Sequence, residues 1–504
     1  MARNGARCAF PYIDILDAAS FEKVREGVLT VLKNTGVTVK SPKMRAVLKD
    51  YGCNVDDAME RVRFDPSVVE RALEATPKGF EITAREEKNR VRLQPGRTTQ
   101  FINACGTMIF DHRTGDARMP TRKEFYDYMR LQDALPNLDF QNCFPFFGFD
   151  KVPECMKLLE YVAAKYRVST KAQIEGTVFD NYRFSTEMAR AMGIDLCQIV
   201  NSAAPLTYFT ETADQIFNYC EAELPFHFAA GPTRGLTSPI TAAGSVISNN
   251  AECMAGLIMA QAVRPGSRVW MNSMIMTPNM ATGKPAFGDI GNSYTDMLFN
   301  QYWRSCGVPC WSNAASWTSS KVIDYQAGFE QSLALLSQAL SGSTVISYQG
   351  GLFAELYASP LKAVIDDDVV GMTQRLMEGV NADEEEGLLV DSIQEIGPIP
   401  GSFMDTDETL ENWRAECYVP TVSSRSGVDE WKAKGRQNVI EIAEGRMEKL
   451  LSEHRVPALE ASKEQALEDI LNDARNYYHK KGMISEEDWK LYQEDIHSDN
   501  YPFA

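Results

Sequence analysis

The sequence predicts an α/β fold: a TIM (β/α)8 barrel over residues 98–404, with an N-terminal helical lead-in over 1–97 and a C-terminal helical extension over 405–504. Short extended segments recur through the middle of the chain, and helical patterns separate them. No phosphate-cradling glycine turn follows any of them, which leaves a closed barrel as the better reading of the alternation.

The lead-in comes first. Ser20 precedes FEKVREGVLTVLKNTG, which stops at Gly36; Ser41-Pro42 opens a second helix that stops at Gly52; Asp65-Pro66 opens a third. Each has the cap-then-proline start or the glycine stop that helix ends favour, because unpaired backbone groups there need partners.

The extended segments are TTQFINA (98–104), LDFQNCF (138–144), YRVSTKA (166–172), LCQIVNS (196–202), PFHFAAG (225–231), RVWMNSM (268–274), VPCWSNA (308–314) and TVISYQG (344–350). Between them run helical patterns such as FYDYMRL behind the capping box Thr121-x-x-Glu124, PECMKLLEYVAAKY and AECMAGLIMAQAV. A doubly wound open sheet is the alternative, but it lacks its usual GxGxxG or GxxxxGK[ST] turn here. In the extension, Ser426-x-x-Asp429, Ser462-x-x-Gln465 and Ser485-x-x-Asp488 read as helix starts. These helices are expected to pack on the barrel or between copies of the chain in a homo-oligomer.

With 504 residues, 44% of them hydrophobic and 24% charged, the chain has a globular composition. Its net charge of -18 argues against nucleic acid or an anionic membrane as partner. No apolar run is long enough to span a bilayer and the first residues lack a signal-peptide core, so a cytoplasmic location is expected. The 11 cysteines are scattered and mostly sit in apolar segments, which fits reduced core thiols.

A TIM barrel carries its chemistry where strands end, so those residues are the candidates. In order they are Asn103; Phe146 in a run of aromatics; Lys171, Gln173 and Glu175; Asn201; His227 with Thr233 and Arg234; Asn272; Trp311 and Asn313 with Trp317; and Tyr348, Gln349, Gly350, Gly351 and Phe353. Neutral amides and aromatics dominate. No G-x-S-x-G elbow, C-x-x-C or H-x-x-x-H occurs, and three of the five histidines (His454, His479, His497) fall in the extension.

The run from Pro225 to Ser267, with its GPT…P-T-AG…NAE…AG…AQ-RPG wording, resembles the trimethylamine methyltransferase family. Members move a methyl group from a methylated amine to the cobalt of a partner corrinoid protein. The resemblance covers most of the chain and implies the same barrel. Members that act on trimethylamine carry pyrrolysine, whereas SYQGGLFAELYASP here is written in standard residues. This chain therefore looks like the non-pyrrolysine branch, whose characterised members resemble methyltransferases for quaternary amines: glycine betaine, proline betaine, carnitine and γ-butyrobetaine. The cobalamin would be carried by the partner, with no cofactor tightly bound in this chain.

On that reading the substrate is a quaternary ammonium, which cannot donate a hydrogen bond and is held by aromatic faces. Phe146, Trp311, Tyr348, Phe353 and Tyr357 are the candidate cage; each is otherwise a core-filling aromatic. A betaine carboxylate would find Arg234, Lys171, Gln173 or the Gly350-Gly351 backbone amides, and Glu175 either meets the ammonium or makes a hydrogen-bonded contact at the mouth. Asn103, His227, Asn313 and Gln349 complete the expected substrate-binding set. No residue is needed as a catalytic acid or base, and no metal ligand set stands out. Two alternatives stay open: a zinc-dependent corrinoid methyltransferase built on His227, Glu175 and a cysteine, and a betaine-binding protein without transfer.

Overall fold

A computed structural model describes residues 5–142, 151–354, 356–383, 387–498 and 501. Its centre is a closed barrel of eight strands: β1 (Gln100–Asn103), β2 (Phe140–Gln141), β3 (Ala172–Glu175), β4 (Leu196–Asn201), β5 (Phe226–Ala229), β6 (Val269–Ser273), β7 (Cys310–Ser312) and β8 (Val345–Gln349). Neighbours pair in chain order, every pair is parallel, and β8 closes on β1. The predicted TIM barrel is the fold.

The helices that follow the strands are α1 (Arg122–Ala134), α2 (Glu154–Val168), α3 (Tyr182–Met192), α4 (Thr210–Ala222), α5 (Ala242–Val263), α6 (Ile290–Cys306), α7 (Tyr325–Leu340) and α8 (Pro360–Met377). The predicted capping box opens α1: Thr121 accepts from the Glu124 amide, and Glu124 accepts from the Thr121 amide at 2.8 Å. One strand differs from expectation. Tyr166–Val168 complete α2, and the strand begins later, at Ala172. A β-branched and aromatic composition did not end the helix there because α2 is buried along nearly its whole length, so tertiary packing outweighs local propensity.

Helix α5 is buried on all sides over most of its length, which requires cover on both faces. The barrel covers one. The lead-in helices Ala18–Thr30 and Pro66–Ala75 cover the other, joining α5 in one hydrophobic cluster. On the barrel side Gly256 permits a close approach: a Cβ there would lie 2.5 Å from the Phe228 ring and 2.7 Å from the Tyr208 hydroxyl. The lead-in also carries short strands that helical periodicity does not register. Val37–Val39, Asn54–Asp56 and Arg61–Arg63 form a small sheet with Thr207–Tyr208 from the loop after β4.

A second lead-in feature bears directly on the barrel. The hairpin Phe80–Ile82/Val91–Leu93 packs with Ile102, Phe140, Trp270, Trp311 and Val345, and so plugs the end where the strands begin. Gln100 Nε2 donates to Arg92 O at 3.1 Å and ties the plug to β1. At the opposite end, Gly351–Leu352 and Tyr357–Ala358 after β8 join Met108–Asp111 and Asp116–Arg118 after β1 in a four-stranded sheet. The extension helices Val439–Glu453 and Ala461–Lys480 pack on α1, α2, α3 and α8. Arg475 and Glu160 on α2 form a buried ion pair at 2.6 Å within that contact.

Candidate active site

Side chains alternate in and out along each strand, and the residues clustered with the plug identify the inward set. On β4, Cys197 is in that set, so Ile199 and Asn201 also face inward; Ile199 is half-buried and Asn201 is exposed. On β6, Trp270 is inward, and Asn272 follows it toward the open end. On β7 it is Trp311, and on β8 Val345 and then Ser347. His227 on β5 joins them: its ring stacks on Trp270 at 5.2 Å and meets Trp311 edge-on at 4.8 Å. Three rings thus fill the lumen above the plug.

His227 is fully buried, and neither ring nitrogen has a hydrogen-bond partner. Burial without a compensating anion drives its pKa down to about 3, so the imidazole is neutral at physiological pH. Toward the mouth a polar chain begins. Trp311 Nε1 donates to Ser347 Oγ at 2.9 Å, Ser347 Oγ donates to Asn313 Oδ1 at 3.0 Å, and Asn313 Nδ2 donates to Ser273 O at 2.9 Å and to Asn272 Oδ1.

The lumen therefore brings together His227, Trp311 and Asn313 from the predicted set, with Asn201 and Asn272 beside them. Several other candidates lie elsewhere. Gln173 faces out of the wall, donating to Lys171 O at 3.0 Å and Ser169 Oγ at 3.2 Å. Glu175 also faces out, 3.3 Å from Lys165 Nζ on α2, with Oε1 accepting from the Gly176 amide at 2.9 Å. Burial raises its pKa against the pull of Lys165 and that amide. Lys171 sits where β3 begins, its Nζ on Leu138 O at 2.6 Å, so it is remote from the mouth. A strand that starts later than expected leaves Lys171 at its foot, and the inward facing of Ala172 and Ile174 turns Gln173 and Glu175 outward.

The β8 candidates are displaced for another reason. Tyr348 is an outward residue, packed among Leu335 of α7 and Val370 of α8. The register then shifts between Ser347 and Gln349, a bulge that turns Gln349 outward so that Nε2 donates to Asn137 O at 3.1 Å. The Gly350 amide, a candidate carboxylate receptor, already donates to Asp366 Oδ2 at 2.8 Å. Gly351 belongs to the four-stranded sheet at the open end, where a Cβ would lie 2.6 Å from Ser316 O. Phe353 carries Lys321 Nζ over its ring at 4.6 Å and neighbours Tyr357, which stacks on Phe110. These rings form a cluster of their own and do not join the His227–Trp270–Trp311 set.

Asn103 ties the ends of β1 and β2, accepting from the Asn142 amide at 2.7 Å. Arg234 is buried between the loops after β5 and β6, donating to Ile240 O at 3.0 Å and to the Tyr294 hydroxyl at 3.2 Å. Trp317 packs outside the barrel against Phe287. Phe146 lies outside the described residues. A zinc site from His227 and Glu175 does not form, since one faces the lumen and the other faces α2. Among the described residues no three His, Cys, Asp or Glu side chains gather as a metal site.

Some lumen residues are missing from the predicted set. Trp270 and Ser347 lie inside their strands, so a search of strand ends passes over them; period-two alternation from Asn272 and Val345 is the signal that finds them.

Comparison with known proteins supplies the family. The family model described as trimethylamine methyltransferase (MTTB) matches residues 3–477. Glycine betaine methyltransferase of Desulfitobacterium hafniense (strain Y51) is 27% identical over 89% of this chain and 95% of its own. Trimethylamine methyltransferase MttB2 of Methanosarcina mazei is 25% identical over 94% of this chain and 97% of its own. Among solved structures, the Methanosarcina barkeri monomethylamine methyltransferase MtmB aligns over 87% of this chain and 93% of its own, with a TM-score of 0.47 and 12% identity. The chain is a methyltransferase and belongs to the trimethylamine methyltransferase family.

Proposed function

We propose that the enzyme demethylates a quaternary amine of the betaine class and passes the methyl group to the corrinoid of a cytoplasmic partner protein. The observation that carries this reading is the neutrality of the lumen: the inward side chains named on β4 to β8 are aromatic, aliphatic, thiol, amide or hydroxyl, and burial holds both titratable groups among them uncharged, lowering the pKa of the His227 ring and raising that of the Cys197 thiol. A permanent cation there meets π faces and no competing positive charge.

The chemistry asks for little more. Displacing methyl from a quaternary nitrogen releases a neutral tertiary amine, so no general acid has to protonate the leaving group. What remains for the protein is to hold the nitrogen and aim one methyl toward the mouth, a task of proximity and orientation. The reduced corrinoid, when docked, supplies the nucleophile. Exposed Phe179, Leu236, Ile240 and Met280 on the loops after β3, β5 and β6 form an apolar rim suited to a docked protein. The D. hafniense relative acts on glycine betaine by its name, which favours a betaine over trimethylamine.

The test is direct. The protein is mixed with reduced cobalamin and a panel of betaines, trimethylamine and methanol, and cobalt methylation is followed by absorbance. Reaction with a quaternary amine is expected; reaction with trimethylamine or methanol alone overturns the reading.

A further inference from the structure

We propose that the side-chain amide of Asn272 is the receptor for the carboxylate of the substrate, an assignment that rests on the betaine reading above. An indole N–H can only donate, so Ser347 Oγ accepts from Trp311 and its own hydrogen is free to go on to Asn313 Oδ1. A backbone carbonyl can only accept, so the Asn313 atom facing Ser273 O at 2.9 Å is the NH2 group. Both ends of the Asn313 amide are therefore fixed independently, and they agree.

That NH2 group also donates to Asn272, so the Asn272 atom facing it is the oxygen. The Asn272 NH2 is then turned away from the chain. Among the described residues it donates to no protein atom, and it is not among the sealed, unpaired groups of the interior. The chain thus ends in an oriented donor, two residues closer to the mouth along β6 than Trp270. A zwitterion with its ammonium against the rings and its carboxylate on this NH2 uses both features.

The other candidate receptors are committed elsewhere: Lys171 to the Leu138 carbonyl, Gln173 to the outer wall, and the Gly350 amide to Asp366. Arg234 is held by Ile240 O and Tyr294 in the loop layer, so it is the rival in the test.

The assay is a titration of tryptophan fluorescence with glycine betaine and with tetramethylammonium, which has the cation and no carboxylate. In Asn272→Asp the oxygen that accepts from Asn313 is kept, while the donor is replaced by an acceptor. Glycine betaine should bind about 10- to 100-fold more weakly, the range for a hydrogen bond to a charged group, and tetramethylammonium should bind at least as well as before. Ser347→Ala leaves Asn272 in place but releases the Asn313 amide; it should weaken glycine betaine by a smaller factor and leave tetramethylammonium unchanged. Equal losses for both ligands mean a merely structural role and overturn the proposal. So does an unchanged glycine betaine affinity in Asn272→Asp, and loss of that affinity in Arg234→Gln would then place the receptor there. A wild-type protein that responds to neither ligand overturns the betaine reading itself, and the assignment with it.

Discussion

The His227 ring lies over Trp270 at 5.2 Å and 24°, with neither of its nitrogens hydrogen-bonded. An imidazole in that position is maintained as a neutral ring, and this has consequences for stability that a surface histidine would not have. Its pKa falls from 6.5 in the unfolded chain to about 3. A depressed histidine pKa removes stability as the pH falls below the unfolded value, because only the unfolded chain binds the proton readily.

By linkage, the loss between pH 7 and pH 5 is about 2 kcal/mol. Replacing His227 with Phe keeps a flat ring against Trp270 and removes the titration. Relative to wild type, His227→Phe should gain that amount between pH 7 and pH 5, read from urea unfolding at the two values. A constant offset at both would mean that the ring titrates in the folded protein as it does in the unfolded chain.

Trp311 carries two roles, a π face toward the lumen and an N–H that holds Ser347 at 2.9 Å. Trp311→Leu removes both. With cation–π attraction at about 0.5–2 kcal/mol, KM for the quaternary amine should rise about 2- to 30-fold, while kcat changes less. Trp311→Phe retains a face and should recover much of KM. If both variants lower kcat and leave KM unmoved, the ring does not hold the cation in the ground state.

The extension is anchored by charge as well as by apolar contact. Glu160 on α2 is fully buried and accepts from Arg475 at 2.6 Å, with the Tyr492 hydroxyl on the same oxygen. Arg475→Met leaves that carboxylate buried without its cation, which should cost about 3–5 kcal/mol. The double variant with Glu160→Gln should recover part of the loss. A single variant with an unchanged melting temperature would show that water reaches Glu160.

Much of the fold was legible because strand and helix periods alternate cleanly from Gln100 onward and because caps such as Thr121-x-x-Glu124 mark helix starts. The site was legible only in kind. A preference for neutral amides and aromatics survives in His227, Trp311, Asn313 and Asn272, but choosing strand ends does not reveal which face a residue takes. Tyr348 is out by alternation, and Gln349 is out because a bulge resets the phase after Ser347. Nor does a local pattern tell that α2 runs on through Tyr166–Val168, a choice made by the core around it. Ser347 follows Val345 on the inward face by alternation, but it lies inside its strand, where a choice of strand ends does not look.

Asp296 on α6 sets the opposite pH dependence to His227. Its carboxyl is fully buried, taking the Ser273 hydroxyl at 2.5 Å, the Gln338 amide at 2.7 Å and the Ala314 N–H at 3.2 Å. Those donors favour the anion, yet burial outweighs them and pushes the pKa from 3.8 up to about 7. A raised carboxyl pKa gives stability that is whole below the unfolded value and is lost as the pH rises through the folded one. The loss between pH 5 and pH 9 is about 3 kcal/mol by linkage. From pH 5 to pH 7 it runs against the His227 effect, so the wild-type profile masks both, and single variants expose each. Asn is the suitable replacement. Its oxygen can take the Gln338 and Ala314 donors while its NH2 donates to Ser273 Oγ, as the protonated acid would. Asp296→Asn should therefore be near wild type at pH 5 and gain about 3 kcal/mol on it by pH 9. A variant equally destabilised at both values would mean that the carboxylate is ionised throughout, held by its donors after all.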